Sequence, residues 1–260
     1  MVISKGLTLR GRSIREREGC YPWFLLATLL PIVVTPFTNL EGNLLQRLLL
    51  PLVADFLVIQ SLRIMPGRIP GLRLVGGRRF YLASAVYAAF VMWIPFLIGH
   101  HAPPFLHGPV LGGICLFYLL TAARIIQLLA HLEGVNWRSL CLGAAGYVQL
   151  GLTAGQIATF MAVMRPGSFD VGLMLPGEEL VERLNYFAFV TLGSIGYGDI
   201  LPATPMAEFL AVFLSVAGTL YVSLVIGLLL SRYINDRVDL MVGAELNGLE
   251  DPELDQQDQA

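Results

Sequence analysis

Asn185-Tyr-Phe-Ala-Phe-Val-Thr-Leu-Gly-Ser-Ile-Gly-Tyr-Gly-Asp-Ile200 begins as an apolar helix and ends as glycine-punctuated chain. The segment from Glu182 to Gly193 is too short to cross a bilayer, whose roughly 30 Å core needs about 20 helical residues. It reads as a half-helix that dips into a membrane and stops at Gly193. The backbone beyond it then lies at membrane depth, where irregular chain is tolerated only if protein or a water-filled path satisfies it. Gly196 and Gly198 let alternate residues take left-handed backbone at little steric cost, which turns successive carbonyls to one side. Ile195 and Tyr197 are expected to point away from that carbonyl row and pack behind it. Ser194 offers a hydroxyl at the inner end, and the Asp199 carboxylate sits at the outer mouth. The half-helix aims its partly negative C-terminal end at the same place.

The chain around this stretch has the composition of a membrane protein. Hydrophobic residues make up 55% of the 260 and charged residues 14%, where a soluble domain carries roughly 25% charge. Six long apolar blocks stand out, at Tyr21–Phe37, Leu44–Leu62, Phe80–Gly99, Pro109–Leu132, Leu140–Val163 and Pro205–Tyr233. Each is expected to be a helix, because lipid offers no partner to unpaired backbone groups. The first is broken by Pro31 and Pro36 and preceded by basic residues, as a signal sequence would be. No small-residue cleavage site follows it, so it reads as a retained span. A surface turn would need neither the half-helix nor the flanking spans that surround Gly196 and Gly198.

Charge sets the expected orientation. Lys5, Arg10, Arg12, Arg15 and Arg17 precede the first block, Arg63, Arg68, Arg73, Arg78 and Arg79 lie between the second and third, and Arg138, Arg232 and Arg237 fall on the same side. The opposite loops hold only Arg47, Arg165 and Arg183. The positive-inside rule then puts both termini in the cytoplasm. It also accounts for the basic clusters without nucleic acid or a lipid-binding role. Cys20, Cys115 and Cys141 are scattered and show neither a disulfide framework nor metal spacing. The expected organisation is a cytoplasmic segment (1–20), a four-helix unit (21–132), a helix, re-entrant segment and second helix (138–235), and an acidic cytoplasmic tail (239–260).

Thr191-Leu-Gly-Ser-Ile-Gly-Tyr-Gly-Asp199 resembles the selectivity-filter motif of potassium channels, commonly Thr-x-Thr-Thr-Val-Gly-Tyr-Gly-Asp. The resemblance runs from about Arg138 to Tyr233, and the Tyr-Phe-Ala-Phe-Val-Thr lead-in and the Leu220-Tyr221 pair are similar to six-span prokaryotic members especially. It implies an all-α membrane protein with a four-helix sensor-like bundle and a two-helix pore domain. It further implies a homotetramer, so that each chain has three identical subunits and membrane lipid as partners, in the cell membrane. Potassium would be the permeant ion, held by carbonyls in place of its hydration shell, with no cofactor and no enzymatic activity. The positions that match the filter are Ser194, Ile195, Gly196, Tyr197 and Gly198, the first four as the ion-binding positions. Asp199, Thr191, Tyr186, Phe187 and Val190 match the mouth and support. Gly218 falls at the hinge position of the last helix, and Gly227 is a second hinge candidate. Packing between membrane helices explains either glycine equally well.

Several positions depart from that pattern. Ser194 stands where the family usually has Thr, and Gly193 replaces another Thr. Selectivity is expected to persist with a softer inner site; the alternative is a non-selective cation channel on the same scaffold. Tyr186 and Phe187 occupy positions often held by two Trp. Val190 removes the buried acid that some members keep behind the filter, and Val225-Ile226-Gly227 lies where others have Pro-x-Pro.

A voltage sensor needs several basic residues at three-residue spacing, because each charge contributes about 2.3 kcal/mol per 100 mV. The fourth block offers only Arg124, followed by Gln127 and His131. Arg124 is expected to pair with Asp55 of the second block, giving weak or no voltage dependence. His100, His101 and His107 read as plain loop residues, and Glu178, Glu179 and Glu182 as acidic residues that favour a helix start and concentrate cations outside. An intramembrane enzyme would need paired catalytic groups within spans, and a transporter would need matched broken helices in two halves. Neither pattern is present.

Overall fold

The computed structural model describes residues 18–38, 44–64, 77–94, 104–130, 136–172 and 180–227, together with 230–231, 234–235 and 238. Among the described residues, seven α-helices carry the architecture. They are α1 (Tyr21–Thr38), α2 (Leu44–Ile64), α3 (Gly77–Val91), α4 (Pro104–Ala130), α5 (Trp137–Met164), α6 (Leu180–Leu192) and α7 (Pro205–Leu220). A π-helical turn, Tyr221–Ile226, continues α7 directly. Two short strands, β1 (Phe169–Asp170) and β2 (Leu201–Pro202), pair antiparallel with Phe169 opposite Pro202. Four of the described helices contain stretches long and apolar enough to cross a membrane: Glu18–Thr35, Gly108–Ala130, Trp137–Met164 and Pro205–Ser223.

Each of the six apolar blocks contains a described helix, though not every block is helical or described throughout. The third is the shortest: α3 stops at Val91 and turns at Met92–Trp93. The longest helix, α5, starts on a built cap, with the Asn136 side chain accepting the Ser139 N–H at 3.0 Å. Its own amide donates to Glu18 at 2.7 Å, tying the turn before α1 to the start of α5. The start of α7 combines a Thr204 cap, Pro205 in the first turn and Glu208 beside it. Each suits the orphan N–H groups of a helix N-terminus.

Two cores divide the molecule along α5. The first joins Phe24, Leu57, Tyr81, Phe117 and Ile125 from α1–α4 with Leu142, Ala145 and Leu152 of α5, and includes Tyr221. The second gathers Ala154 and Ala158 of α5 with Leu184, Phe187, Leu210 and Leu214 of α6 and α7. The N-terminal half of α5 therefore faces the first four helices, and its C-terminal half faces α6 and α7.

Asp55 and Arg124 do not pair, contrary to the sequence expectation. The Arg124 guanidinium is buried, lies 4.0 Å over the Tyr81 ring and donates to the Gly77 carbonyl. Asp55 instead accepts the Trp93 indole N–H at 2.8 Å. Gly77 begins α3, which is about 22 Å long at 1.5 Å per residue, and Trp93 lies in the turn just after its end. The two groups therefore bind to opposite ends of the α3 stretch. Residues 1–17, 131–135 and 239–260, His100, His101, Glu178 and Glu179 lie outside the described residues, as does the side chain of His107.

Candidate functional site

The helix α6 has 13 residues, about 20 Å at 1.5 Å each, and cannot span a bilayer core. Its buried positions Leu184, Phe187, Ala188 and Leu192 fall on one face, toward α5 and α7. Two glycines of α5 admit it closely: a side-chain carbon at Gly151 would overlap the Phe189 ring, and one at Gly155 would overlap Asn185. Phe187 is further held edge-on by Phe169 of β1, with ring centroids 5.3 Å apart.

The C-terminus of α6 closes in a Schellman arrangement. Ser194 N–H donates to the Thr191 carbonyl and Ile195 N–H to the Val190 carbonyl, both at 2.9 Å, and Gly196 N–H reaches the same Val190 oxygen at 3.4 Å. Such an ending needs a left-handed residue after the cap, usually glycine. Here Ser194 fills that place, with φ 55°, the one described non-glycine residue at positive φ. Gly196 and Gly198 follow at φ 59° and 81°. Positive φ thus recurs at every second residue from 194 to 198. The departure from Thr at position 194 suits this backbone, because a β-branched residue is a genuine outlier there.

Ser194 through Asp199 are exposed in the single chain. Ile195 and Tyr197, expected to pack behind the carbonyl row, are 57% and 69% exposed. Tyr186 is also exposed, with its hydroxyl beside the Asp199 carboxylate. Thr191 and Val190 remain half-buried within α6.

The exit from the stretch is clamped. Ile200 is buried, Leu201–Pro202 pairs with Phe169–Asp170, and Ala203 N–H donates to the Ser168 carbonyl at 2.8 Å. Arg183 of α6 donates to the Val171 carbonyl at 2.9 Å, holding the incoming loop against the helix start. Glu182 lies in the first turn of α6, where its charge complements the helix dipole.

At the inner end, the Ser194 and Ser215 hydroxyls meet at 3.4 Å. Ser215 was not singled out in the sequence, nor was Tyr147, whose hydroxyl reaches the Leu192 carbonyl at 3.5 Å. Lone Ser and Tyr residues in apolar helices carry no local signature. Gly218 is buried against that same Leu192 carbonyl, whereas Gly227 has open space beside it. The two hinge candidates therefore sit in different surroundings. Among the described residues no cluster of His, Cys, Asp or Glu could hold a metal ion.

Comparison with known proteins adds one match. A family model described as "Ion channel" matches residues 179–235, which takes in α6, the glycine-rich stretch and α7. No curated protein and no solved structure matches the chain. The matched segment and the apolar helices around it fit an ion channel in a membrane.

Proposed function

We propose that the chain is one subunit of a homotetrameric potassium channel that conducts passively and responds weakly, or not at all, to voltage. The observation that carries the reading is the recurrence of positive φ at 194, 196 and 198 directly after a helix too short to span. That backbone can present carbonyls from Ser194, Ile195, Gly196 and Tyr197 to a dehydrated ion, with Asp199 at the mouth. One chain supplies only one wall of such a path. The apolar face of α7 with Met206, Phe209, Val212, Phe213 and Val216 is exposed, as are Ile195 and Tyr197. Neighbouring copies around a central axis would cover part of that surface.

Arg124 argues for weak voltage dependence, since a guanidinium stacked on Tyr81 and bonded to Gly77 is fixed rather than free to cross the field. The basic residues before α1 and between α2 and α3 favour cytoplasmic termini, and the cell membrane is the natural site for such a channel. A non-selective cation channel is the second reading, favoured by the hydroxyl at 194 being shared with Ser215. The deciding experiment is the reversal potential of the purified full-length protein in a planar bilayer, with potassium on one side and sodium on the other. A value near the potassium equilibrium potential supports the first reading. A value near zero with robust current replaces it with the second.

A further inference from the structure

The inner helix α7 is fastened at one level and released just below it. Gly218 lies against the Leu192 carbonyl so closely that any side-chain carbon would overlap backbone, and the Tyr147 hydroxyl approaches the same oxygen from α5. A backbone-to-backbone contact of this kind leaves no room for a bend. Three residues on, the helix changes character and runs as a π-turn over Tyr221–Ile226. Such turns are uncommon and concentrate at functional sites. They hold an extra residue in the turn, so returning the segment to α geometry would rotate the helix below it by about 100°. Gly227, at the end of the turn, has nothing among the described residues within 4 Å of where a side-chain carbon would stand.

The first residue of the turn is also latched. The Tyr221 side chain is buried, its hydroxyl donates to the Gly143 carbonyl at 2.8 Å, and its ring packs on Tyr147 at 5.8 Å between centroids. The hydroxyl sits over Gly146, where a side-chain carbon would displace it. Resting on the channel reading above, we propose that the inner helix opens and closes at the π-turn Tyr221–Ile226, that the Tyr221–Gly143 hydrogen bond is its latch, and that Gly218 is a fixed packing point above the pivot. Tyr221 is then a positioning residue, acting on conduction through the helix below it and not through the ion path.

The test is single-channel recording of the full-length tetramer in symmetric potassium, with assembly and reversal potential measured for each variant. Tyr221→Phe keeps the ring and removes the latch; it is expected to assemble, keep its reversal potential and change open probability about fivefold per subunit, the equivalent of a hydrogen bond of about 1 kcal/mol. Gly227→Ala has room for its methyl and stiffens the lower helix; it is expected to assemble and slow opening and closing. Should Tyr221→Phe fail to assemble, this second variant carries the test alone. Gly218→Ala is expected to lose assembly or current altogether. The pivot is overturned if Tyr221→Phe and Gly227→Ala gate like the parent, or if Gly218→Ala assembles, conducts and shifts gating. A parent protein that passes no current overturns the channel reading itself, a result distinct from either.

Discussion

The first four helices and the last three are built from similar apolar material but treat their polar groups in opposite ways. In α1–α4 the charged group is hidden: Arg124 is 1% exposed, stacked on Tyr81 and bonded within the same chain. In the other half, six consecutive residues from Ser194 to Asp199 stand exposed, with irregular backbone and an aromatic among them. The contrast separates a unit that satisfies its charge alone from one that is unfinished as a single chain. Burying an unpaired charge costs far more than a packed scaffold can return, so Arg124 needs its partners in the same chain. Exposed irregular backbone at membrane depth is tolerable only beside water or more protein. On the proposed channel reading, further copies would complete the second half, whereas the first already satisfies its charge within one chain.

That contrast can be broken most sharply at Gly196. Alanine there must adopt φ near 59°, a left-handed backbone that costs roughly 1–2 kcal/mol per residue and recurs in every subunit. Selective current should fall at least about a hundredfold, while the fold of α1–α4 stays intact by circular dichroism of the solubilised protein. Retained potassium current would detach conduction from this backbone.

Arg124→Gln attacks the other half. It removes the cation–π contact and the bond to Gly77, and should cost about 2–3 kcal/mol of stability, visible as a lowered midpoint of thermal unfolding in detergent. The conductance–voltage relation of whatever assembles should keep its slope. A clear loss of voltage dependence would show that Arg124 moves in the field and that the half is not static.

Ser194→Thr tests the boundary between the two behaviours on a smaller scale. The β-branched side chain at φ 55° should lower tetramer stability by about 1–2 kcal/mol, read as dissociation at lower temperature on a denaturing gel. A stabilised tetramer with sharper selectivity would mean that the left-handed ending at Ser194 is not the conducting conformation.

The mildest effect is expected at the outer clamp. Arg183→Gln loses the bond to Val171, which is worth about 1 kcal/mol, and should speed the decay of current during sustained recording with the reversal potential unchanged. Current that persists as in the parent protein would assign the bracing to the β1–β2 pairing alone.

Much of this was legible in the chain because it depends on local rules. Apolar block lengths placed all six long helices, since lipid leaves the backbone no alternative to pairing with itself. The shortness of Glu182–Gly193 marked the short helix α6, and the two glycines marked where left-handed backbone would follow. The left-handed Ser194 was not legible: a serine is compatible with either hand, and only the bonds to Thr191 and Val190 choose one. Nor was the separation of Asp55 from Arg124, because pairing depends on how three helices align and not on spacing within any of them. Gly218 and Gly227 look alike in sequence, each a glycine in the apolar run after the filter-like stretch. Only tertiary packing distinguishes them, pressing the first against the Leu192 carbonyl and leaving the second in open space, because a glycine's role is set by what approaches the side chain it lacks.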